Sequence, residues 1–321
     1  MKRESKFYRL YKKLFINNLR RVGFGFYFYV FERLKDIYKE FIGQRCLKRL
    51  KVQYPVISLI SLDDIELLIH IGSRGYIEDR LIIERKYEMD ILEIAHHFIK
   101  PNSLILDVGA NLGFYSLYFA KKYPDCKIFG YEPVTFIFDS FLKSKYLNGL
   151  TNLSPCKMAV GANHTKLEIY GATQDTYNKG TSSIKVNHDI NETFTTENIS
   201  VVPLNDFLKE PRKVSFIKID VQGFEKDVFE GAWDLIKRDK PAIVFEHSDL
   251  YYEAPRETRK DIAEKFQMLN YEIYFIRSGR FVSQYHFLQK IDFSTSSVVS
   301  GDFLAVPLFN TIPSNMSIPP P

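Results

Sequence analysis

Leu104-Ile-Leu-Asp107-Val-Gly109-Ala-Asn111-Leu-Gly113 is an apolar strand that runs into an acid and then into a Gly-x-Asn-x-Gly turn. A helical pattern follows from Phe114 to Lys122, so the order reads strand, tight turn, helix N-terminus. Such a turn suits a nucleotide-type cofactor: backbone N–H groups are left free at the helix start, and Gly109 and Gly113 permit a close approach to the main chain.

The spacing separates two kinds of cofactor. A dinucleotide site wants Gly-x-Gly-x-x-Gly, in which the second glycine lets a pyrophosphate touch the backbone. Here that place is taken by Asn111, and Asp107 stands before the turn. A carboxylate at the strand end repels a pyrophosphate and attracts an ammonium or sulfonium, which is the charge pattern of S-adenosylmethionine. A second apolar stretch, Lys127 to Tyr131, ends in Glu132-Pro133. An acid at that strand tip can accept both hydroxyls of a ribose. Taken singly, Asp107 reads equally as a helix-capping acid and Glu132 as a solvated strand end; the pair at this spacing favours the cofactor.

The wider chain is ordered as an alternation of strands and helices. Strand Ser103–Leu106, helix Phe114–Lys122, strand Lys127–Tyr131, helix Phe136–Leu147 and strand Ser154–Val160 form a first half. Strand Val214–Ile219, helix Phe224–Ile236, strand Ala242–Phe245 and helix Arg256–Leu269 form a second, closed by strands Tyr271–Ile276 and Phe303–Val306. This predicts an α/β fold with a mainly parallel sheet, helices on both faces and an antiparallel last strand. Residues 161–200 break the alternation with β-like pieces, Lys166–Tyr170 and Ser183–Val186, among many Asn, Thr and Gly, and are expected to form a β-hairpin insertion. Ile57–Ile71 and Leu81–Ile99 read as short strand or helix pieces, the latter at near-helical spacing. The expected division is a basic, mostly helical extension over residues 1–80, a main domain over 81–310, and a Pro- and Ser-rich disordered tail over 311–321.

Of 321 residues, 45% are hydrophobic and 26% charged, which is ordinary for a soluble globular protein. Cys46, Cys126 and Cys156 lie far apart with no Cys-x-x-Cys, so neither a disulfide framework nor a zinc site is indicated, and a reducing, cytoplasmic setting is expected. No signal-peptide pattern opens the chain, and the uncharged run Val22–Phe31 is half the roughly 20 residues a membrane span needs. The net charge of +5 is uneven: residues 1–51 hold fifteen Lys or Arg against four Asp or Glu, and the rest is acidic. With Phe7, Leu10, Tyr11, Leu14 and Phe15 interleaved among the cations, the arm reads as a basic amphipathic helix. It either docks on an anionic membrane surface or a protein partner, or packs its aromatic stripe on the main domain. Nucleic acid is not expected, because the site-bearing part is acidic.

Phe216-Ile-Lys-Ile-Asp220-Val-Gln-Gly223-Phe-Glu225 repeats the theme of an apolar strand, an acid and a glycine turn. In open α/β sheets ligands sit outside the carboxyl ends of the strands, so Asp107, Glu132, Asp220 and Glu246 should converge on one crevice. Glu225, in the first turn of a helix, is equally explained by the macrodipole.

At this point the chain resembles the FkbM-type methyltransferases, a branch of the Rossmann-like S-adenosylmethionine-dependent enzymes. The matching pieces are Asp107-Val-Gly-Ala-Asn-Leu-Gly113, Tyr131-Glu-Pro133, Ala159-Val-Gly161, Gly180-Thr-Ser-Ser183 and Lys218-Ile-Asp-Val-Gln-Gly-Phe-Glu225, spread over residues 84–307. Family members usually carry Glu where Gln222 stands and Asp where Asn205 stands. The resemblance implies methyl transfer, most often to oxygen, with polyketides, sugars and surface glycans as acceptors. It implies that Asp107, Gly109, Asn111 and Gly113 hold the methionine end, Glu132 the ribose, and the region of Ala159, from Met158 to Val160, the adenine, with Gly180–Ser183 on the acceptor side. A hydroxyl acceptor benefits from a general base. Asp220 is the first candidate, and Glu246 with His247 the alternative, since a His beside an acid can shuttle a proton near neutrality. The other histidines show no metal spacing and no metal is expected, although acids gathered at strand ends could hold Mg²⁺. Rival readings are a nitrogen or carboxyl acceptor, a nucleotide-binding oxidoreductase, and a non-catalytic methyltransferase-like scaffold.

Overall fold

The computed structural model describes residues 56–62, 65–71, 89–171, 195–252, 255–277, 288–298 and 300–316. The basic arm, the piece Ser183–Val186 and the residues Gly180–Ser183 lie outside the described residues.

Leu104–Val108 (β3) and Val214–Ile219 (β9) are buried at every position. A strand covered on both faces needs apolar side chains on both, which is why these two read as unbroken hydrophobic runs. They lie side by side at the centre of an eight-stranded sheet of order β12-β11-β13-β10-β9-β3-β4-β5. The flanking strands are Lys127–Tyr131 (β4), Leu153–Cys156 (β5), Ala242–Ser248 (β10), Tyr271–Ile276 (β11), Leu288–Ile291 (β12) and Ser300–Pro307 (β13). The five strands from β10 to β5 are parallel; β13 runs antiparallel between β10 and β11, and β12 antiparallel at the edge.

Helices cover both faces. Met89–Phe98 (α1), Phe114–Lys122 (α2) and Thr135–Leu147 (α3) put Ile91, Leu92, Phe119 and Phe141 against Ile105, Ile128, Phe216 and Val244. Glu225–Glu230 (α4), Trp233–Asp239 (α5) and Pro255–Met268 (α6) put Val228, Phe229, Ile236, Ile262 and Phe266 against Leu106, Ile217, Ile243 and Phe245 on the other side. Chain connections leave β3 toward β4 and leave β9 toward β10, so the strand order reverses between β3 and β9 and opens a crevice at their carboxyl ends.

Several boundaries differ from the sequence reading. The helix expected over Phe224–Ile236 is two helices, because Gly231 passes the carbonyl of Gly161 so closely that a Cβ would lie 2.0 Å from its oxygen. The strand expected over Ser154–Val160 is divided: β5 stays in the main sheet, whereas Ala159–Val160 (β6) joins Thr165–Gly171 (β7) and Thr195–Val202 (β8) in a second sheet of order β6-β8-β7. The insertion is thus a hairpin pair that recruits a third strand. Strand β12 was not expected at all.

Within the expected extension over residues 1–80, the described residues form strands rather than helix. Val56–Leu62 (β1) and Ile65–Ile71 (β2) pair antiparallel, with Leu62 opposite Ile65. The N–H of Glu66 donates to Asn148 Oδ1 at 2.8 Å and that of Leu68 to Ser144 Oγ at 2.9 Å, while Ile65 and Leu67 enter the core beside α3. At the other end, residues 311–316 are seated rather than disordered: Met316 is buried and its carbonyl accepts the N–H of Leu288. No helix among the described residues is long and apolar enough to cross a membrane.

Candidate functional site at the carboxyl ends of β3, β4, β9 and β10

The turn after β3 is held by the tip of β4. Gly109 and Ala110 both donate their N–H groups to the carbonyl of Tyr131, Gly113 to Ala110, and Leu112 to the side chain of Asn111. The N–H of Asn111 goes to Glu132 Oε2 at 3.0 Å, and Glu132 Oε1 takes the N–H of Val134 at 2.9 Å. The N–H groups of the turn itself, from Gly109 to Gly113, are thus satisfied within the protein, as buried amides must be. What the turn offers instead is a rigid outline, with Asn111 at φ 52°, in the left-handed region that Asn tolerates better than most residues.

The glycines serve the protein's own packing. A Cβ on Gly109 would lie 1.8 Å from the carbonyl oxygen of Asp220, and one on Gly113 2.0 Å from the ring of Phe141. Gly109 is thus where the β3 turn and the β9 turn press together, and the close approach read from the sequence is made by Asp220.

Asp107 is fully buried. Its Oδ2 accepts the N–H of Ser116 at 3.1 Å and the Ser116 hydroxyl at 2.7 Å, fixing the first turn of α2. Its Oδ1 has no donor among the described residues. Burial pushes its carboxyl upward, against the opposing pull of Lys218. Burial likewise raises Glu132 to about 7, despite its two backbone donors.

Alternation along the strands places Asp107, Lys218, Asp220, Glu246 and Asp302 on one face of the sheet, in line with the core residues Ile105, Phe216, Val244 and Leu304. Lys218 lies opposite Asp107 in register, and Glu246 opposite Asp302. Lys218 Nζ is 3.0 Å from Asp220 Oδ2 and 4.8 Å above the ring of Tyr115. Gln222 sits at φ 51° and its amide donates both to Asp220 Oδ1 at 3.1 Å and to Glu246 Oε2 at 2.6 Å. The shared Gln222 amide thus brings the Asp220 and Glu246 carboxyl groups together. Lys218, Gln222 and Glu246 hold Asp220 below the usual carboxylate range against its burial; burial and the Asp220 charge raise Glu246 to about 9. The side chain of Asp220 keeps 32% of its surface exposed, whereas Lys218 keeps 6%. Asp220 can therefore touch a ligand and Lys218 acts from beneath it.

Asp107, Gly109, Asn111, Gly113, Glu132, Asp220 and Glu246 thus gather at one end of the sheet. His247 does not join them. It is the neighbour of Glu246 on β10, so its side chain points to the opposite face, where it has no exposed surface, bonds Asp249 Oδ1 through Nε2 at 3.0 Å and stacks on Tyr252. The expected Glu246–His247 pair does not form. Glu225 is also enclosed, accepting the N–H of Gly223 and the hydroxyl of Tyr252. Ala159 is buried on β6. Among the described residues no group of three His, Cys, Asp or Glu is arranged to hold a metal ion. Lys218 and Gln222 went unassigned in the sequence reading. The signal for Lys218 was a lone cation inside an apolar strand, two residues from Asp220 and hence on the same face.

These residues fit S-adenosylmethionine: an enclosed acid at the tip of β3 has an acceptor oxygen with no donor, and the acid at the tip of β4 is fixed in place by main-chain bonds. That donor-poor, acceptor-rich set suits a ligand bearing positive charge and ribose hydroxyls. A family model described as the methyltransferase FkbM domain matches residues 107–273, over half of the chain. Methyltransferase 1 of Beauveria bassiana (strain ARSEF 2860) is 30% identical over 155 residues, which are 42% of this chain and 62% of that protein. Methyltransferase sdnD of Sordaria araneosa is 23% identical over 197 residues, 50% of this chain and 73% of the relative. The chain thus spans less than two thirds of the first of these relatives. A solved structure, the methyltransferase FkbM from Methylobacillus flagellatus KT, aligns with a TM-score of 0.38 at 16% identity over 56% of this chain and 45% of its own. The chain belongs to the methyltransferase FkbM family, whose members depend on S-adenosylmethionine.

Proposed function

We propose that this protein methylates a hydroxyl oxygen on a glycan, sugar-containing or polyketide-like acceptor. The observation that carries the reading is Asp220: an ionised, partly exposed carboxylate whose own carbonyl abuts the Gly109 turn at the reversal point of the sheet. S-adenosylmethionine supplies a methyl group on a good leaving group, so the protein's work is to orient the acceptor and exclude water. Glu132 and the β3 turn would hold the cofactor end, and Asp220 would accept the proton of the acceptor hydroxyl. A positioned base of this kind contributes about 10²–10⁴-fold. The acids on this face, with Lys218 already engaged by Asp220, speak against an anionic acceptor such as a carboxylate and suit a neutral polyol.

The test is calorimetric titration with S-adenosylmethionine followed by a screen of glycans and polyketide alcohols with methyl-labelled cofactor. Asp220→Asn is expected to bind the cofactor as the wild type does and to lose about 100-fold or more in turnover. Full turnover in that variant would refute the assignment of the base, and absence of cofactor binding by the wild type would refute the reading as a whole.

A further inference from the structure

We propose that Lys218 decides where the single proton of the Asp220–Glu246 pair resides, keeping Asp220 as the anion that meets the acceptor and Glu246 as the protonated partner behind it. The inference rests on the reading of Asp220 as the base and adds how that base is kept in the right state.

The geometry leaves little choice. One amide nitrogen, Gln222 Nε2, lies 3.1 Å from Asp220 Oδ1 and 2.6 Å from Glu246 Oε2, so the two carboxyl groups are close enough for two anions to repel, and a single proton held by the pair relieves that repulsion. The question is which one keeps it. The amide of Gln222 donates to both acids, more closely to Glu246, and so does not favour the anion on Asp220. Lys218 does: its ammonium is 3.0 Å from Asp220 Oδ2, on the same strand and two residues earlier. Of the surrounding acids, Asp302 acts on Glu246, whereas Asp107, Glu132 and Glu225 also act on Asp220 and oppose its ionisation, so the ammonium has to outweigh them. Asp302 faces Glu246 across β10 and β13, and Glu225 adds a second negative field there. Asp107 on β3 lies opposite Lys218 in register, so the ammonium is shared between the enclosed acid and Asp220, while Glu132 on β4 feels both. The ring of Tyr115 on α2 lies under the ammonium at 4.8 Å and helps to hold it in a pocket with almost no water. Lys218 is thus a positioning residue: it is too enclosed to touch the acceptor and acts through Asp220.

The experiment is carboxyl-carbon NMR of the full chain labelled at Asp Cγ and Glu Cδ, followed from pH 4 to pH 10. The resonances of the pair are assigned by their absence in Asp220→Asn and Glu246→Gln. In the wild type the Glu246 carbon is expected to keep its protonated shift through pH 7 while Asp220 is ionised. In Asp220→Asn the Glu246 midpoint is expected to fall by at least about one pH unit, since its neighbouring anion is gone. Lys218→Met, and Lys218→Gln, which keeps a donor and removes only the charge, are expected to move the Asp220 carbon toward its protonated shift at pH 7. The proposal is overturned if Glu246 titrates in the ordinary carboxylate range in the wild type, or if the Asp220 carbon is unmoved in a folded Lys218 variant. Should neither Lys218 variant fold, the wild-type and Asp220→Asn titrations still decide the placement of the proton. Cofactor calorimetry on the same samples separates the two readings: failed proton placement with binding intact sinks this inference alone, whereas absent binding in the wild type sinks the functional reading and leaves the titration standing.

Discussion

Gly109→Ala is the substitution for which the structure gives the sharpest expectation. Gly109 lies at φ 78°, where an L side chain costs about 1–2 kcal/mol on its own. Its Cβ would also lie 1.8 Å from the Asp220 carbonyl oxygen and 2.8 Å from the carbonyl carbon, so the two turns must part by about 1.5 Å to reach ordinary contact. The carbonyl has little freedom to yield. The N–H of Asp220 is bonded to Val108 at 2.9 Å and its side chain is tied to Lys218 and Gln222. Overpacking of this kind costs roughly 1–3 kcal/mol. Together the two terms predict a loss of about 2–5 kcal/mol. Gly149→Ala supplies the control: Gly149 lies at φ 62°, in the same conformational region, yet a Cβ there meets nothing within 4 Å. It should lose only the dihedral cost, about 1 kcal/mol. In urea unfolding the two variants should therefore differ by the overpacking term, about 1–3 kcal/mol, or roughly 2–12 °C in Tm at 2–4 °C per kcal/mol. Equal stability of the two alanine variants would refute the claim that the β3 and β9 turns are in contact through Gly109.

Two further outcomes are expected. His247→Phe keeps the ring against Tyr252 and Phe293 and loses the bond to Asp249, so it should cost about 1–3 kcal/mol of stability and leave S-adenosylmethionine affinity unchanged; a variant of full stability with turnover down 100-fold would restore His247 as a proton shuttle. Wild-type stability should fall as pH rises from 7 to 9: Glu246, raised to about 9 in the folded protein, keeps a proton that the unfolded chain has released, so the unfolded state binds fewer protons and the slope is negative, at most about 1.4 kcal/mol per pH unit. Glu246→Gln should flatten that slope in thermal melts, and an unchanged slope would show that another group is responsible.

The parts of the fold that were legible in the sequence share one property: their identity is set within a few residues. Strands β4, β9 and β11 and helix α2 match the sequence reading to the residue, because continuous apolar runs bounded by turn residues have few alternative meanings. What escaped is set by distant contacts. The break between α4 and α5 follows from Gly161, some seventy residues earlier in the chain, pressing on Gly231. Strand β2 alternates too weakly to be told from a helix, and it is a strand because it pairs along its length with β1 and gives two further N–H groups to Ser144 of α3 and to Asn148 just past its end. Strand β12 has only four residues, Leu-Gln-Lys-Ile, and forms because β11 offers it an edge.

The site divides along the same line. Which acids gather could be read from strand ends, since the carboxyl edge of a parallel sheet collects whatever residue ends each strand. What each acid does could not, because that depends on which face it occupies and what lies one strand away. Glu246 and His247 are adjacent in sequence and lie on opposite sides of the sheet; Asp107 and Lys218 are 111 residues apart and lie in register on one side. Burial then acts unequally on groups that look alike in sequence. It encloses Asp107 entirely and leaves Asp220 a third exposed, and it places one buried cation beside Asp220 rather than beside Glu246. An acid at a strand tip is a recurrent feature of the pattern. An acid kept a third exposed beside a lysine that is itself enclosed is a property of burial in the folded sheet, and it is on that unequal burial that the proposal of Asp220 as the base rests.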